Sequence, residues 1–204
     1  MTLSVTQYGE SILHQKGKQV TEFSSKLSSL YHDMLEAMYA EEGIGLAAQQ
    51  VGIALQFCVV DVPSIPDYPI TCILDDKTLS HQLLMPMALA NPKIEVLPCD
   101  EYYYEEGCLS FPEIKGEVAR PEVIVVRYQD IEGNSHTLQC DGLLGRCIQH
   151  EVDHLNGILF IDRMEKEIYA EIKQEVQALK KRTQSNPKQN TKSSQKAPSL
   201  KIHD

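Results

Sequence analysis

Between Thr21 and Glu42, apolar side chains recur at Leu27, Leu30, Tyr31, Met34, Leu35, Met38 and Tyr39. That i, i+3, i+4, i+7 spacing predicts an amphipathic helix. Ser24 or Ser25 can cap its start, and Gly43 stands where a helix takes a left-handed residue beyond its last turn. The pattern then changes to short apolar and β-branched runs at Ala54–Val62, Leu89–Leu97 and Glu122–Gln129, which predict strands. The turn residues Ile131-Glu132-Gly133-Asn134 precede Ser135–Cys140, so Val123–Cys140 reads as a hairpin. Pro63 to Pro86 holds four prolines in mixed polarity and is expected to be an excursion with little regular structure. Asp141-Gly142 opens a second helix that runs to Asn156 and is stopped by Gly157. A third, from Met164 to about Arg182, repeats Ile168, Ile172, Val176 and Leu179. Helix, many strands, helix, helix is an α+β order and not an alternating parallel one.

The second helix carries Gln149-His150-Glu151-Val152-Asp153-His154-Leu155. Histidines four apart lie one above the other on one helix face, so both imidazoles can reach one cation. Glu151 is poised beside an open coordination position, where it can take a proton from water. Leu143 and Cys147 extend the stripe, so this face points inward, and burying two imidazoles without a partner would be costly. A surface helix that merely contains H-E-x-x-H is the bland alternative. A closed structural zinc site is another, but it leaves no role for Glu151.

Two histidines need another ligand. Downstream of Gly157 the only histidine is His203, in a polar tail, while Glu165, Glu167 and Glu171 furnish the polar face of a helix. Upstream, Glu106-Gly107-Cys108-Leu109-Ser110 places a thiol in a turn after the strand-like Tyr102–Tyr104. A thiolate would complete a Cys-His-His set with one site open, although an isolated cysteine is usually a small core residue. Gly43-Ile44-Gly45-Leu46-Ala47-Ala48-Gln49-Gln50 combines small residues, which allow close approach of a ligand, with an amide able to donate to a developing oxyanion. A tight helix-to-strand passage explains that segment equally well.

Composition narrows the setting. The chain of 204 residues, 42% hydrophobic and 24% charged, can bury a core without disulfides. Six scattered cysteines form no disulfide framework, no apolar stretch approaches a membrane span, and the N-terminus reads as neither signal nor transit peptide. A reducing cytoplasm is the expected compartment. Charge is uneven: from Lys180 to Asp204 there are seven Lys/Arg and one acid, whereas the preceding residues hold 12 basic and 28 acidic side chains. Thr183–Asp204 has almost nothing to bury and is expected to be a disordered basic tail.

The three segments GIGLAAQQ, EGCLS and QHEVDHLNG, in that order, resemble the signature motifs of the bacterial peptide deformylases. The resemblance runs from the first helix, including YAEEGIGLAAQQVGI, through GILFIDRM, and covers most of residues 1–164. It implies an α+β fold of mainly antiparallel strands around a central metal-binding helix, with an N-terminal and a C-terminal helix. The organisation expected is a catalytic domain over residues 1–164, a C-terminal helix over 165–182 and the tail over 183–204. The implied function is hydrolysis of the N-formyl group from the initiator methionine of new polypeptides, releasing formate. By the same likeness Cys108, His150 and His154 bind Fe(II), with Zn or Ni able to substitute. Glu151 moves the proton, and the Gln50 amide and the Leu109 backbone N–H meet the formyl oxygen. Ile44, Leu143, Cys147 and the His150 ring are expected to line the methionine pocket, and backbone near Ile44, Gly45 and Gly107 to align the peptide. Asp153 and Arg120 are candidates for orienting the ligands, although Asp153 reads equally as a solvated helix residue. Three features depart from the pattern. The Pro63–Pro86 connection is long, Arg146 stands where some relatives have an aliphatic residue, and Lys115 lies toward the distal peptide. The expected partners are N-formylmethionyl nascent peptides and, through the basic tail, the ribosome, with neither DNA nor a membrane among them. An H-E-x-x-H peptidase and a metal-stabilised binding module are the rival readings.

Overall fold

Phe57-Cys58-Val59-Val60 is apolar at every position, the signature of a strand covered on both faces. The computed structural model, which describes residues 3–65 and 68–185, shows why. Helix α1 (Ser25–Ala40) lies on one side, sharing a core with Phe57 and Val59. Leu144, Ile148, Val152 and Leu155, from the later helix Gly142–Leu155, pack on the other side against Cys58 and Val60. Each fully buried Val, Leu or Phe contributes roughly 1.5–3 kcal/mol, so the two-faced strand anchors both helices.

In chain order the strands are β1 (Gly45–Ala47), β2 (Phe57–Val60), β3 (Cys72–Leu74), β4 (Lys77–Thr78), β5 (Met87–Val96), β6 (Glu101–Cys108), β7 (Phe111–Pro121), β8 (Ile124–Gln129) and β9 (Ser135–Cys140). Helix α2 is Gly142–Leu155, and α3 is Lys166–Ser185. Seven strands form one antiparallel sheet in the order β1-β2-β5-β8-β9-β3-β4, and β6 and β7 form a separate hairpin. This is the expected α+β architecture.

Several local expectations are corrected. Glu42, with φ 56°, takes the left-handed position after α1, and Gly43 follows it, donating its N–H to Met38 O at 2.9 Å. That pattern is a Schellman cap shifted by one residue. At the end of α2 the expectation holds: Gly157 (φ 74°) is the left-handed residue, and a Cβ there would meet His14 O at 2.5 Å. The Pro63–Pro86 excursion contains β3, β4 and a short helical turn at His81–Leu83. Strand β3 pairs with β9 and so extends the sheet edge. β7 went unpredicted as a strand, because Pro112, Gly116 and Pro121 with alternating charges mask it. Helix α3 runs three residues beyond Arg182 with Thr183 buried, so residues 183–185 are helical and not tail. From residue 186 the expected tail lies outside the described residues.

Candidate metal centre and peptide cleft

Cys108 ends β6 and pairs with Phe111 across a tight turn, while Gly107 pairs with Lys115, so extra residues on β7 bulge out at this point. A bulge bends its strand and re-aims side chains. Here the tip of the hairpin carries the Cys108 sulfur to helix α2, and Cys108 Sγ lies 3.2 Å from His154 Nε2. One donor atom from each of Cys108, His150 and His154 lies within 4.8 Å of the others. The structure thus brings together the set proposed from sequence, with sulfur from a hairpin and nitrogens from a helix.

Further contacts fix the orientation of these candidate donors. Glu106, two residues before Cys108, places a carboxylate oxygen 3.1 Å from His150 Nδ1. Arg120 grips Glu106 with two donors, at 2.6 and 2.9 Å, and reaches Asp153 at 2.8 Å. Arg163 also binds Asp153, at 2.6 Å, so Asp153 is a buried ion-pair partner and not a solvated helix residue. Gln50 is buried. Its carbonyl accepts the Ala47 N–H at 2.8 Å, and its amide nitrogen faces Cys108 Sγ at 3.4 Å and Ser110 Oγ at 3.3 Å. The N-terminal segment ties this corner together, with Thr6 N–H donating to Gln50 O and Tyr8 N–H to Ser110 O. Sequence reasoning missed the roles of Glu106 and Ser110. The strand alternation that puts residues 106 and 108 on one face was the available signal for Glu106.

The electrostatics suit a cation. Burial opposes charge on His150, but the neighbouring Cys108 and the hydrogen bond with Glu106 raise it to about 10. The Glu106 carboxylate, held well below the usual range by its bonds with His150 and Arg120 against desolvation, favours positive charge at that spot. His154 is held well below the usual imidazole range by burial and by the nearby His150, which keeps it in the neutral form that ligates. Burial pushes Glu151 up to about 7, with His150 and Arg120 opposing, which poises it to exchange a proton near neutrality. Among the described residues, Oε2 of Glu151 and Nδ1 of His154 are buried with no hydrogen-bond partner. Two imidazoles, a soft sulfur donor and these buried polar atoms beside them fit a tetrahedral divalent ion.

A cleft of about 770 Å³ opens onto this centre, lined by Ile44, Gly45, Gln50, Gly107, Cys108, Leu109, Leu143, Cys147, His150 and Glu151. Every candidate catalytic and substrate-contacting residue therefore meets one space, and His154 lies buried beneath it. Lys115 is on the rim, paired with Glu105 at 3.4 Å and exposed. Among the described residues, none from the Pro63–Pro86 excursion lines the cleft.

An antiparallel sheet clasping a helix, with a buried carboxylate and a Cys-His-His set at the floor of a peptide-sized cleft, defines a hydrolase of the metal-dependent class. The chain matches the model of the Polypeptide deformylase family over residues 2–168. It is 50% identical to a peptide deformylase of Opitutus terrae over 193 residues, 93% of this chain and 99% of that one. A peptide deformylase of Novosphingobium aromaticivorans is 45% identical across 76% of this chain and 84% of its own. Among solved structures, peptide deformylase 1B of Arabidopsis thaliana, in complex with an inhibitor, superposes with a TM-score of 0.77 at 33% identity, covering 90% of this chain and 93% of that one. The peptide deformylase of Synechococcus elongatus in complex with actinonin gives 0.70 at 38% identity, covering 89% and 86%. The chain belongs to the polypeptide deformylase family, metal-dependent hydrolases that remove the N-formyl group from new polypeptides.

Proposed function

We propose that Cys108, His150 and His154 hold a single Fe(II) ion in the native enzyme, with Zn or Ni able to take its place, and that Glu151 carries the proton transfers of deformylation. The convergence of three donors beside Glu151, whose Oε2 has no hydrogen-bond partner among the described residues, supports this reading. A bound divalent cation supplies Lewis acidity to water and to a formyl carbonyl near neutral pH. Glu151, in its dry surroundings, accepts the proton of the attacking water and delivers it to the departing amine. The Gln50 amide and the Leu109 backbone N–H donate to the formyl oxygen as negative charge gathers there. Ile44, Leu143, Cys147 and the His150 ring enclose the methionine side chain. Backbone at Gly45 and Gly107 aligns the following residues in strand fashion, which gives affinity without sequence preference.

Two substitutions test the assignment. Glu151→Ala should keep its cation and lose formate release from formyl-Met peptides by about 10²–10⁴-fold, the range for a general acid–base group. Cys108→Ala should lose the cation. If Cys108→Ala kept its full metal content, the ligand set would be wrong and the peptidase reading would gain. Metal analysis of anaerobically purified protein decides between iron and its substitutes.

A reducing cytoplasm accords with six unpaired cysteines, one of them a ligand. The cations from Lys188 onward suit a polyanionic partner such as ribosomal RNA. Truncation after Ser185 is the appropriate test, because Thr183 is buried and Gln184 reaches Gly9 O. Loss of salt-sensitive ribosome co-sedimentation is expected, and unchanged association would retire the idea.

A further inference from the structure

Arg146 lies one helical turn before His150 on α2, at the spacing that puts both side chains on one face. Its guanidinium crosses to the β6–β7 hairpin and binds it in several places. Nη1 donates to Glu106 Oε1 at 2.7 Å and to the Val118 carbonyl at 3.0 Å, and Nη2 donates to the Tyr102 carbonyl at 2.6 Å. The Arg146 Cζ atom also stands over the Tyr104 ring, 5.6 Å from its centroid. Tyr104 and Val118 are cross-strand partners, so one side chain holds both strands of the hairpin. Strand β6 of that hairpin ends in Cys108, and α2 carries both histidines. Glu106 with Arg120 and Arg146, and Gln149 donating to the Pro121 carbonyl at 3.0 Å, tie the two elements together.

Resting on the proposed metal site, we propose that Arg146 is a positioning residue that fixes the Cys108 hairpin against helix α2 and thereby sets the spacing of sulfur and imidazoles around the cation. Its charge is engaged with Glu106 and two carbonyls, so its part in the cleft wall is structural tension across the site and not recognition of a charged substrate. Glu106 keeps its two bonds from Arg120 when Arg146 is removed, so no buried carboxylate is stranded and the fold should survive. Groups that orient metal ligands typically change metal affinity or activity by about 10- to 100-fold when lost. Lysine cannot replace the fork, because a single ammonium cannot span Glu106, Val118 O and Tyr102 O while stacking on a ring.

The test is Co(II) titration of the full chain, using Arg146→Leu and Arg146→Lys, with the thiolate-to-cobalt charge-transfer band as the report on Cys108. Circular dichroism is expected to show wild-type folding. Arg146→Leu should weaken Co(II) binding by about tenfold or more, reduce or shift the band, and lower kcat more than it raises KM. Arg146→Lys should fall in between. Wild-type affinity and an unchanged band in either folded variant, with only KM altered, would overturn the proposal. Should Arg146→Leu not fold, Arg146→Lys alone decides by the same readouts. If the wild-type chain shows no charge-transfer band at all, the metal assignment fails, and that outcome is distinct from a failure of the coupling.

Discussion

A methyl group at position 45 would stand 2.4 Å from Oε1 of Glu151 and 2.8 Å from Sγ of Cys147. The sequence suggested that the small residues of this segment admit a ligand's backbone, but at Gly45 the missing side chain makes room for the protein's own carboxylate. Gly45→Ala should therefore displace Glu151 while leaving the Cys108, His150 and His154 donors in place. A misplacement of about 1 Å at a reacting group costs on the order of 10²-fold in rate, and overpacking of this kind about 1–3 kcal/mol in stability. Formate release should drop accordingly, with metal content per chain unchanged. A variant with normal kcat would mean that Glu151 tolerates displacement, and its role as the proton carrier would be in question. The contrast with Glu42 is instructive: there a non-glycine residue takes the left-handed conformation, so residue type alone mislocated the end of α1 by one position.

At the scale of elements, legibility followed the range of the interactions. Helices α1, α2 and α3 and the β8–β9 hairpin were readable because their periodicity or turn residues are local. The β3–β4 hairpin was not: its turn is Asp75-Asp76, with φ of 47° and 64°, and lacks the glycine that usually announces such a turn. β7 was hidden by its prolines, and with it the hairpin that delivers Cys108. The candidate ligand pair on α2 was legible from spacing alone, whereas the contacts of Glu106 and Arg146 arise only when the hairpin meets the helix. The β3–β4 turn is fastened to β9 by His136, whose Nδ1 lies 2.7 Å from Asp75 Oδ2 and whose Nε2 lies 3.3 Å from Asp130 Oδ2. The hydrogen bond to Asp75 raises His136 above its usual value near 6.5, with Asp130 adding to the effect against desolvation. The bond to His136, with the Thr137 N–H, lowers Asp75 below 3.8. The raised histidine stabilises the fold in full below 6.5, and this is lost as pH climbs through its higher folded value. The lowered aspartate stabilises above 3.8, and this is lost as pH falls through its lower folded value. The fastening is complete between those two limits. Thermal melts should show His136→Ala less stable than wild type at pH 5.5, with the gap narrowing by pH 9. The pair is partly solvated, so the effect is small. A gap independent of pH would show that packing and not charge holds the turn.

Across the whole molecule, α3 is continuous with the rest of the structure. Val176 and Leu179 share a core with Leu13, Phe111, Val118 and Phe160, and Met164 packs where a Cβ on Gly116 would meet it at 2.6 Å. Phe111 stacks on Tyr8 with centroids 4.6 Å apart and meets Phe160 edge-on at 5.1 Å, and the Phe160 ring lies 6.1 Å from that of His150. A continuous apolar path thus runs from the last helix, beneath the Cys108 hairpin, to the ligand helix. Tyr103 adds a hydrogen bond from the hairpin to Glu165, just before α3 begins. Leu179→Ala should remove core contacts worth about 2–5 kcal/mol. At about 2–4 °C per kcal/mol for a chain of this size, the melting temperature should fall on the order of 10 °C. Activity at 25 °C should stay near wild type, because no cleft residue changes, while thermal inactivation and loss of the cation should move down together with the melt. Were the melting temperature to stay within about 1 °C of wild type, α3 would be a removable appendage. The buried cluster at its base argues for the opposite: the hairpin that presents the sulfur is held from below by α3 and from the side by α2, and a rigid ligand set requires both.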